Sequence, residues 1–275
     1  MESVRAVEAS RYSGNGSQDV RALLQHNERI GTRLQLVVQK AVILYVLGPW
    51  LALILRLLFR IEIRGREQLD AIGDRALLAV QHYFEWDPFI TFYSALWRTA
   101  LRKRHLVAQS IASPVWTRTP VRRVISWTFG VMSIVKGQEP HAGAIKRAAQ
   151  LLRGPQPAAI SIFPTGPIGR RTSYEIYPGV AYLAMQCPTV PVVPISLVGL
   201  TDVDWRSVLM LGRPRLLVSV GEPFTAAELL DESGQPCASA ICERIAAEWG
   251  RQAEQESGLI LAGRASDRVR AGNLW

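Results

Sequence analysis

From Ile61 onward, short apolar runs alternate with stretches whose apolar residues recur every three or four positions. The runs Arg75–Gln81, His105–Gln109, Val131–Val135, Ala158–Phe163, Val190–Leu197 and Leu216–Val220 read as strands. Between them lie helical stretches such as Phe89–Thr99 and Gly143–Leu152. The latter puts Ile145, Ala148, Ala149 and Leu152 on one face. Such alternation predicts an α/β fold, a mixed sheet flanked by helices. After Pro223, Ile241, Ile245 and Trp249 recur at helical spacing and predict a further helix. At 275 residues and 48% hydrophobic composition, the chain can bury one substantial core.

The segment Leu34 to Phe59 is the most apolar in the chain. Its uncharged centre, Ala41 to Leu55, is 15 residues long, short of the roughly 20 that a membrane span needs. Gly48-Pro49 interrupts it, and Lys40, Arg56 and Arg60 flank it. These features predict two short helices, about 33–47 and 50–60, bent at Gly48-Pro49 and lying in one leaflet. Two core helices would leave Arg56 and Arg60 badly placed. The expected organisation is a polar segment over residues 1–32 and a membrane-associated helical hairpin or anchor over 33–60. A catalytic domain over 61–256 and a polar tail over 257–275 follow. The first 25 residues carry no apolar core after a basic start, so no cleavable leader is expected.

The net charge is +9. An excess of this size suits an anionic membrane, phosphorylated partners or nucleic acid. No helix-turn-helix, finger or aromatic-basic strand motif supports the last, so no nucleic acid is expected. Arg98, Arg102, Lys103, Arg104, Arg118, Arg122 and Arg123 form a cluster that suits phosphates or an anionic surface, or a solvated basic face. Cys187, Cys237 and Cys242 fit neither a disulfide framework nor a zinc site, and no His stands at ligand spacing from them. No metal and no cofactor are expected, and the location expected is the cytoplasmic face of a membrane.

The chemistry concentrates after the strand Leu77-Leu78-Ala79-Val80-Gln81, which runs into His82, with Asp87-Pro88 five positions on. An imidazole supported by a carboxylate is a ready general base for a hydroxyl. Taken singly, His82 also suits a hydrogen-bonded strand-end histidine. Asp87-Pro88 also reads as an N-cap followed by a first helical residue. Three segments follow in order. Gly130 opens an apolar strand that ends in Lys136; Phe163-Pro164-Thr165-Gly166 forms a turn before Arg170 and Arg171; and Val190 to Ile195 carries Pro191 and Pro194. Proline within an apolar run predicts an edge or interrupted strand.

In these four ordered blocks the chain resembles the glycerolipid acyltransferase family, which includes the lysophosphatidate acyltransferases. The resemblance covers roughly Ile61 to Pro223. It implies acyl transfer from a thioester, on CoA or acyl carrier protein, to a hydroxyl of a lipid acceptor by a membrane-associated enzyme with an N-terminal helical anchor. It makes His82 the base and Asp87 its orienting carboxylate. Gly130, Lys136, Phe163, Pro164, Thr165, Gly166, Arg170 and Arg171 become substrate-binding candidates. Lys136 stands where the family has arginine, keeping the charge without the bidentate fork. Thr165, Pro167 and Ile168 stand where the family has glutamate, threonine and arginine, residues that help hold the acceptor's glycerol phosphate. The same mechanism on a non-phosphorylated acceptor, such as a glycolipid, a glycosylated isoprenoid or another lipid alcohol, is therefore a second reading. A third is a peripheral membrane-binding protein without turnover.

Overall fold

A computed structural model describes residues 16–81, 107–112, 119–134, 141–165, 176–198 and 212–254. These contain seven strands: β1 (Arg60–Arg64), β2 (Arg75–Val80), β3 (Val107–Ala112), β4 (Val131–Ser133), β5 (Ala158–Ile162), β6 (Val192–Val198) and β7 (Arg215–Val220). They form one sheet in the order β1-β7-β6-β2-β5-β3-β4. All neighbours run parallel except β6 and β7. The fold is the expected mixed α/β sheet with helices on its faces. The helices are α1 (Gly16–Arg29), α2 (Arg33–Leu58), α3 (Arg66–Ala71), α4 (Pro120–Thr128), α5 (His141–Arg153), α6 (Gly179–Gln186) and α7 (238–254). The expected helix over Phe89–Thr99 lies outside the described residues.

From Ala76 on, β2 is apolar or small, as is all of β5, because both their faces are covered. On one face Leu77, Ala79, Ile160 and Ile162 pack with Ala144, Ala148, Leu183, Ile241, Ile245 and Trp249 of α5, α6 and α7. On the other, Leu78, Val80, Val193, Ile195 and Leu197 pack with Phe59, Leu69 and Ile72. The helical spacing of Ile241, Ile245 and Trp249 thus marks a fully buried stripe.

Strand β1 begins at Arg60, where the sequence predicts the last residue of the anchor and no strand. Arg60-Ile61-Glu62-Ile63-Arg64 alternates charge with isoleucine, the period-two pattern of a strand with one apolar face. Glu62 draws Arg64 at 3.0 Å and Arg215 of the neighbouring strand into an ion-paired group. Chiefly through its bond from Arg215, the Glu62 carboxyl sits below its usual range.

Pro194 does not make β6 an edge strand. β6 lies between β2 and β7, and its register with β2 runs unbroken from Val192 through Pro194 to Ile195. The interruption falls on the other side. Ile195 pairs with Val220, but Val192 pairs with Phe224, so the antiparallel register slips by one residue between them. Gly221 N–H donates to the Pro194 carbonyl at 2.8 Å inside this bulge, where a missing proline N–H costs no ladder bond. Gly221 is required there. A Cβ would lie 2.5 Å from Glu248 Cγ and 2.7 Å from Gln252 Nε2 of α7.

The apolar segment is one helical run of 26 residues, without the expected break at Gly48-Pro49. Arg33–Gln39 is α-helical, Lys40–Leu47 is a π segment and Gly48–Leu58 is α-helical with Pro49 in its first turn. The π segment lies immediately upstream of Pro49, where an α register would force the ring against the Tyr45 carbonyl. Its wider turn also keeps one stripe in line. Gln35, Gln39, Ile43, Gly48 and Ala52 are all buried, and the single five-residue step falls within it. On the other side Leu34, Val37, Tyr45, Val46, Trp50, Leu53, Ile54 and Leu57 are exposed.

Both ends of α2 are tied to the sheet domain, at opposite edges. At its start Gln35 Nε2 donates to the Trp127 carbonyl of α4 at 3.1 Å, beside β4. At its end Arg213 donates to the Arg56 carbonyl at 2.8 Å, and Arg60 N–H to the Pro214 carbonyl at 3.0 Å. Six strand spacings separate β4 from β1, roughly 29 Å, and a 26-residue helix extends about 39 Å. α2 therefore lies across the width of the sheet.

His26, expected in a polar N-terminal segment, is 4% exposed on α1. Its Nε2 lies 2.9 Å from the Val131 carbonyl, the geometry of a neutral ring donating to it. The next residue, Asn27, donates to the Ser133 carbonyl at 3.1 Å and accepts from Ser133 N–H at 2.9 Å. Two side chains thus do for the outer edge of β4 what another strand would do, blocking edge-to-edge pairing.

Burial holds the His26 imidazole below its ordinary value of 6.5, although its bond to Val131 works in the opposite direction. The folded state then binds a proton less readily than the unfolded state. The protein should lose stability as pH falls from about 6.5 towards the lowered folded value, and this group costs nothing above 6.5. Urea titrations across that window should show the loss in the wild type. His26→Gln, which keeps a donor for Val131, should flatten it.

Candidate active site

Four parallel strands end at one level. Ala79 of β2 pairs with Ile162 of β5, Ile162 with Ile111 of β3, and Ala112 of β3 with Ser133 of β4. β2 stands near the middle of the sheet between β6 and β5. From β2 the chain crosses over β5 to reach β3, and from β5 it crosses back over β2 to reach β6. Connections that leave neighbouring strand ends in opposite directions open a crevice, the usual ligand position in such sheets.

The end of β2 is firmly held. Gln81 is 4% exposed, and its N–H donates to the Ile195 carbonyl at 2.9 Å. The next residue in sequence is His82, which with Asp87 lies outside the described residues. So do Lys136, Gly166, Arg170 and Arg171, and Arg98, Arg102, Lys103, Arg104 and Arg118 of the basic cluster.

Phe163, Pro164 and Thr165 follow directly from the last residue of β5, beside the end of β2. Pro164 is buried and its carbonyl accepts from Tyr177 N–H at 2.7 Å. Phe163 packs on the core cluster to which Leu55, Leu58 and Phe59 contribute at the end of α2. The turn at the candidate site and the last turn of the apolar helix therefore share one block of packed side chains.

Gly130 is not brought to this level. It precedes β4, about 10 Å from the far end of that three-residue strand. Its φ of +68° reverses the chain where α4 hands over to β4, and its N–H donates to the Trp127 carbonyl at 3.1 Å. That backbone conformation alone calls for glycine.

Beyond β2, one wall of the crevice continues. β6 runs on past Ile195 through Ser196, Leu197 and Val198, each paired with β7, and β7 pairs in turn with β1. The overhang is about 10 Å. Register places Arg64, Ser219 and Ser196 side by side, and Gln81 is one residue past the Val80–Ile195 pair. Paired positions share a face, so a polar row leads across β1, β7 and β6 to the end of β2. Ser196 is 1% exposed and its hydroxyl has no partner among the described residues. The sequence reading missed this row. Ser196 and Ser219 sit inside runs that read as uniformly apolar, and Arg64 belonged to a strand not foreseen. The three thiols stay free, and burial pushes those of Cys187 and Cys242 up.

No family model matches the chain, and no curated protein matches it. Solved structures do. One is the 1-acyl-sn-glycerophosphate (LPA) acyltransferase PlsC from Thermotoga maritima, at 14% identity and a TM-score of 0.49. The match covers 76% of this chain and 80% of that one. The architecture given above rests on the strand pairings of this chain, independently of that likeness.

Proposed function

We propose that this protein is a membrane-associated O-acyltransferase. It moves a fatty acyl group from acyl-CoA or an acyl carrier protein to a hydroxyl of a lysophospholipid or glycerol-phosphate-type acceptor, at the cytoplasmic face of a membrane. His82 takes the acceptor's proton as its oxygen attacks the thioester carbonyl. The carbon–oxygen bond forms, the carbon–sulfur bond breaks, and the proton passes to the departing thiolate. Asp87 fixes the imidazole tautomer and stabilises the imidazolium. No acyl-enzyme is required. Lys136, Arg170 and Arg171 are the cations proposed for acceptor or donor phosphates.

The observation that carries this reading is where β2 stops. The residue before His82 is pinned at the end of a buried central strand, level with the Phe163-Pro164-Thr165 turn. That turn packs on the same cluster as the end of α2. A lipid acceptor held at such a place sits where the chain leads into His82, with an apolar surface within reach. α2 supports in-plane rather than spanning attachment, because both its ends are tied to one domain while its outer side is apolar.

The replacement of the third block's glutamate and arginine by Thr165 and Ile168, and of its threonine by Pro167, favours the second reading, a non-phosphorylated acceptor. The deciding measurement uses the full chain in phospholipid vesicles, an acyl thioester donor, and lysophosphatidate beside neutral and glycosylated lipid alcohols. Transfer to lysophosphatidate alone supports the first reading, and transfer to the uncharged acceptors alone supports the second. Vesicle binding with no transfer to any of them, from either donor, would leave a membrane-binding protein without turnover.

A further inference from the structure

Helix α4 is turned inside out. Ser126 is its buried residue, whereas Val121, Val124 and Ile125 are 69%, 64% and 40% exposed. These three occur at i, i+3 and i+4, one stripe directed away from the core. Arg122 flanks that stripe and is exposed, whereas Arg123 lies nearly opposite it, within electrostatic reach of His26 of α1. A helix covering a sheet directs its apolar side inward; an outward stripe bordered by a cation is the pattern of a helix lying in a lipid headgroup layer. The stripe is not isolated. α4 packs on the start of α2, where Gln35 bonds the Trp127 carbonyl and where Leu34 and Val37 are 67% and 64% exposed. Arg33 beside them is exposed too.

We infer that α4 is a second membrane contact, seated on an anionic bilayer through Val121, Val124 and Ile125 with Arg122 against lipid phosphates. This rests on the membrane reading proposed above and extends it to a face that the apolar segment does not supply. Two helices separated by more than sixty residues of sequence then form one ledge. α2 alone would leave the domain free to roll about the helix axis. A contact beside its start fixes that roll, and with it the height of the β2 end above the lipid.

Flotation of the full chain with vesicles of phosphatidylcholine, and of phosphatidylcholine mixed with phosphatidylglycerol, tests it. Arg122→Gln should bind the mixed vesicles about fivefold more weakly and the neutral ones about as wild type does. Val121→Ser/Val124→Ser/Ile125→Ser should weaken binding to both compositions by at least about tenfold. Circular dichroism melting should show both variants folded, since the altered side chains are exposed. If wild type binds and both variants bind equally well, the α4 inference falls while the α2 anchor stands. If wild type binds neither vesicle, the membrane reading itself falls and takes this inference with it. Should gel filtration show a dimer that the triple-serine variant dissociates, the stripe belongs to a second copy and the inference is wrong.

Discussion

His82→Ala should lower acyl transfer by about a hundred to ten thousandfold, the usual contribution of a positioned general base. Melting temperature and vesicle binding should stay at wild-type values. The strand that delivers this residue does not depend on it. Leu77, Leu78, Ala79 and Val80 are fully buried, and Gln81 is held by Ile195. Asp87→Asn should cost less, because a neutral amide still orients the ring but no longer stabilises the imidazolium. A base works only when unprotonated, so the wild-type rate should fall on the acid side, with Asp87→Asn moving that limb to lower pH. His26 weakens the fold in the same direction, so the two effects must be separated. His26→Gln should restore acid stability without moving the rate profile, and Asp87→Asn should do the reverse. Wild-type turnover in His82→Ala would end the mechanism.

Asn27→Ala should destabilise the fold by roughly 3 kcal/mol, and so lower the melting temperature by about 6–12 °C for a domain of this size. Asn27 is 3% exposed and makes both of its bonds to the backbone of one edge-strand residue, Ser133. Removing the side chain takes the Asn27 bond away from both the N–H and the C=O of buried Ser133. Each such group costs about 1–3 kcal/mol, more than the net value of the bond that satisfied it. The damage should spread. α1 leads through Ile30, whose carbonyl accepts from Arg147 at 2.7 Å, into the start of α2. Weaker vesicle binding should therefore accompany the lower melting point. A change below about 1 kcal/mol in urea unfolding would mean that the β4 edge is held in some other way.

Much of this architecture could be read from residue order. Continuous apolar runs such as Leu77 to Val80 and Ala158 to Ile162 are buried on both faces, so their composition follows from their position in a covered sheet. The stripe of Ile145, Ala148, Ala149 and Leu152 was equally legible, because a helix on a sheet must repeat its apolar residues at its own period. The strand expected over His105–Gln109 begins two residues later and ends three residues later, as Val107–Ala112. A run that ends in polar residues carries no boundary signal of its own.

Local pattern could not announce what depends on a partner distant in sequence. Pro194 argued for an edge, and only the slipped register opposite Gly221 allowed it inside the sheet. Gly48-Pro49 argued for a bend, yet a π segment and a domain gripping both ends kept the helix running. His26 and Asn27 looked like solvated residues until β4 presented an open edge. Burial and periodicity are written into the chain because each residue reports its own surroundings. Strand order, the reversed direction of β7 and the partners of buried polar groups arise only when segments a hundred residues apart meet, since a hydrogen bond is satisfied by a position in space and not by a neighbour in sequence.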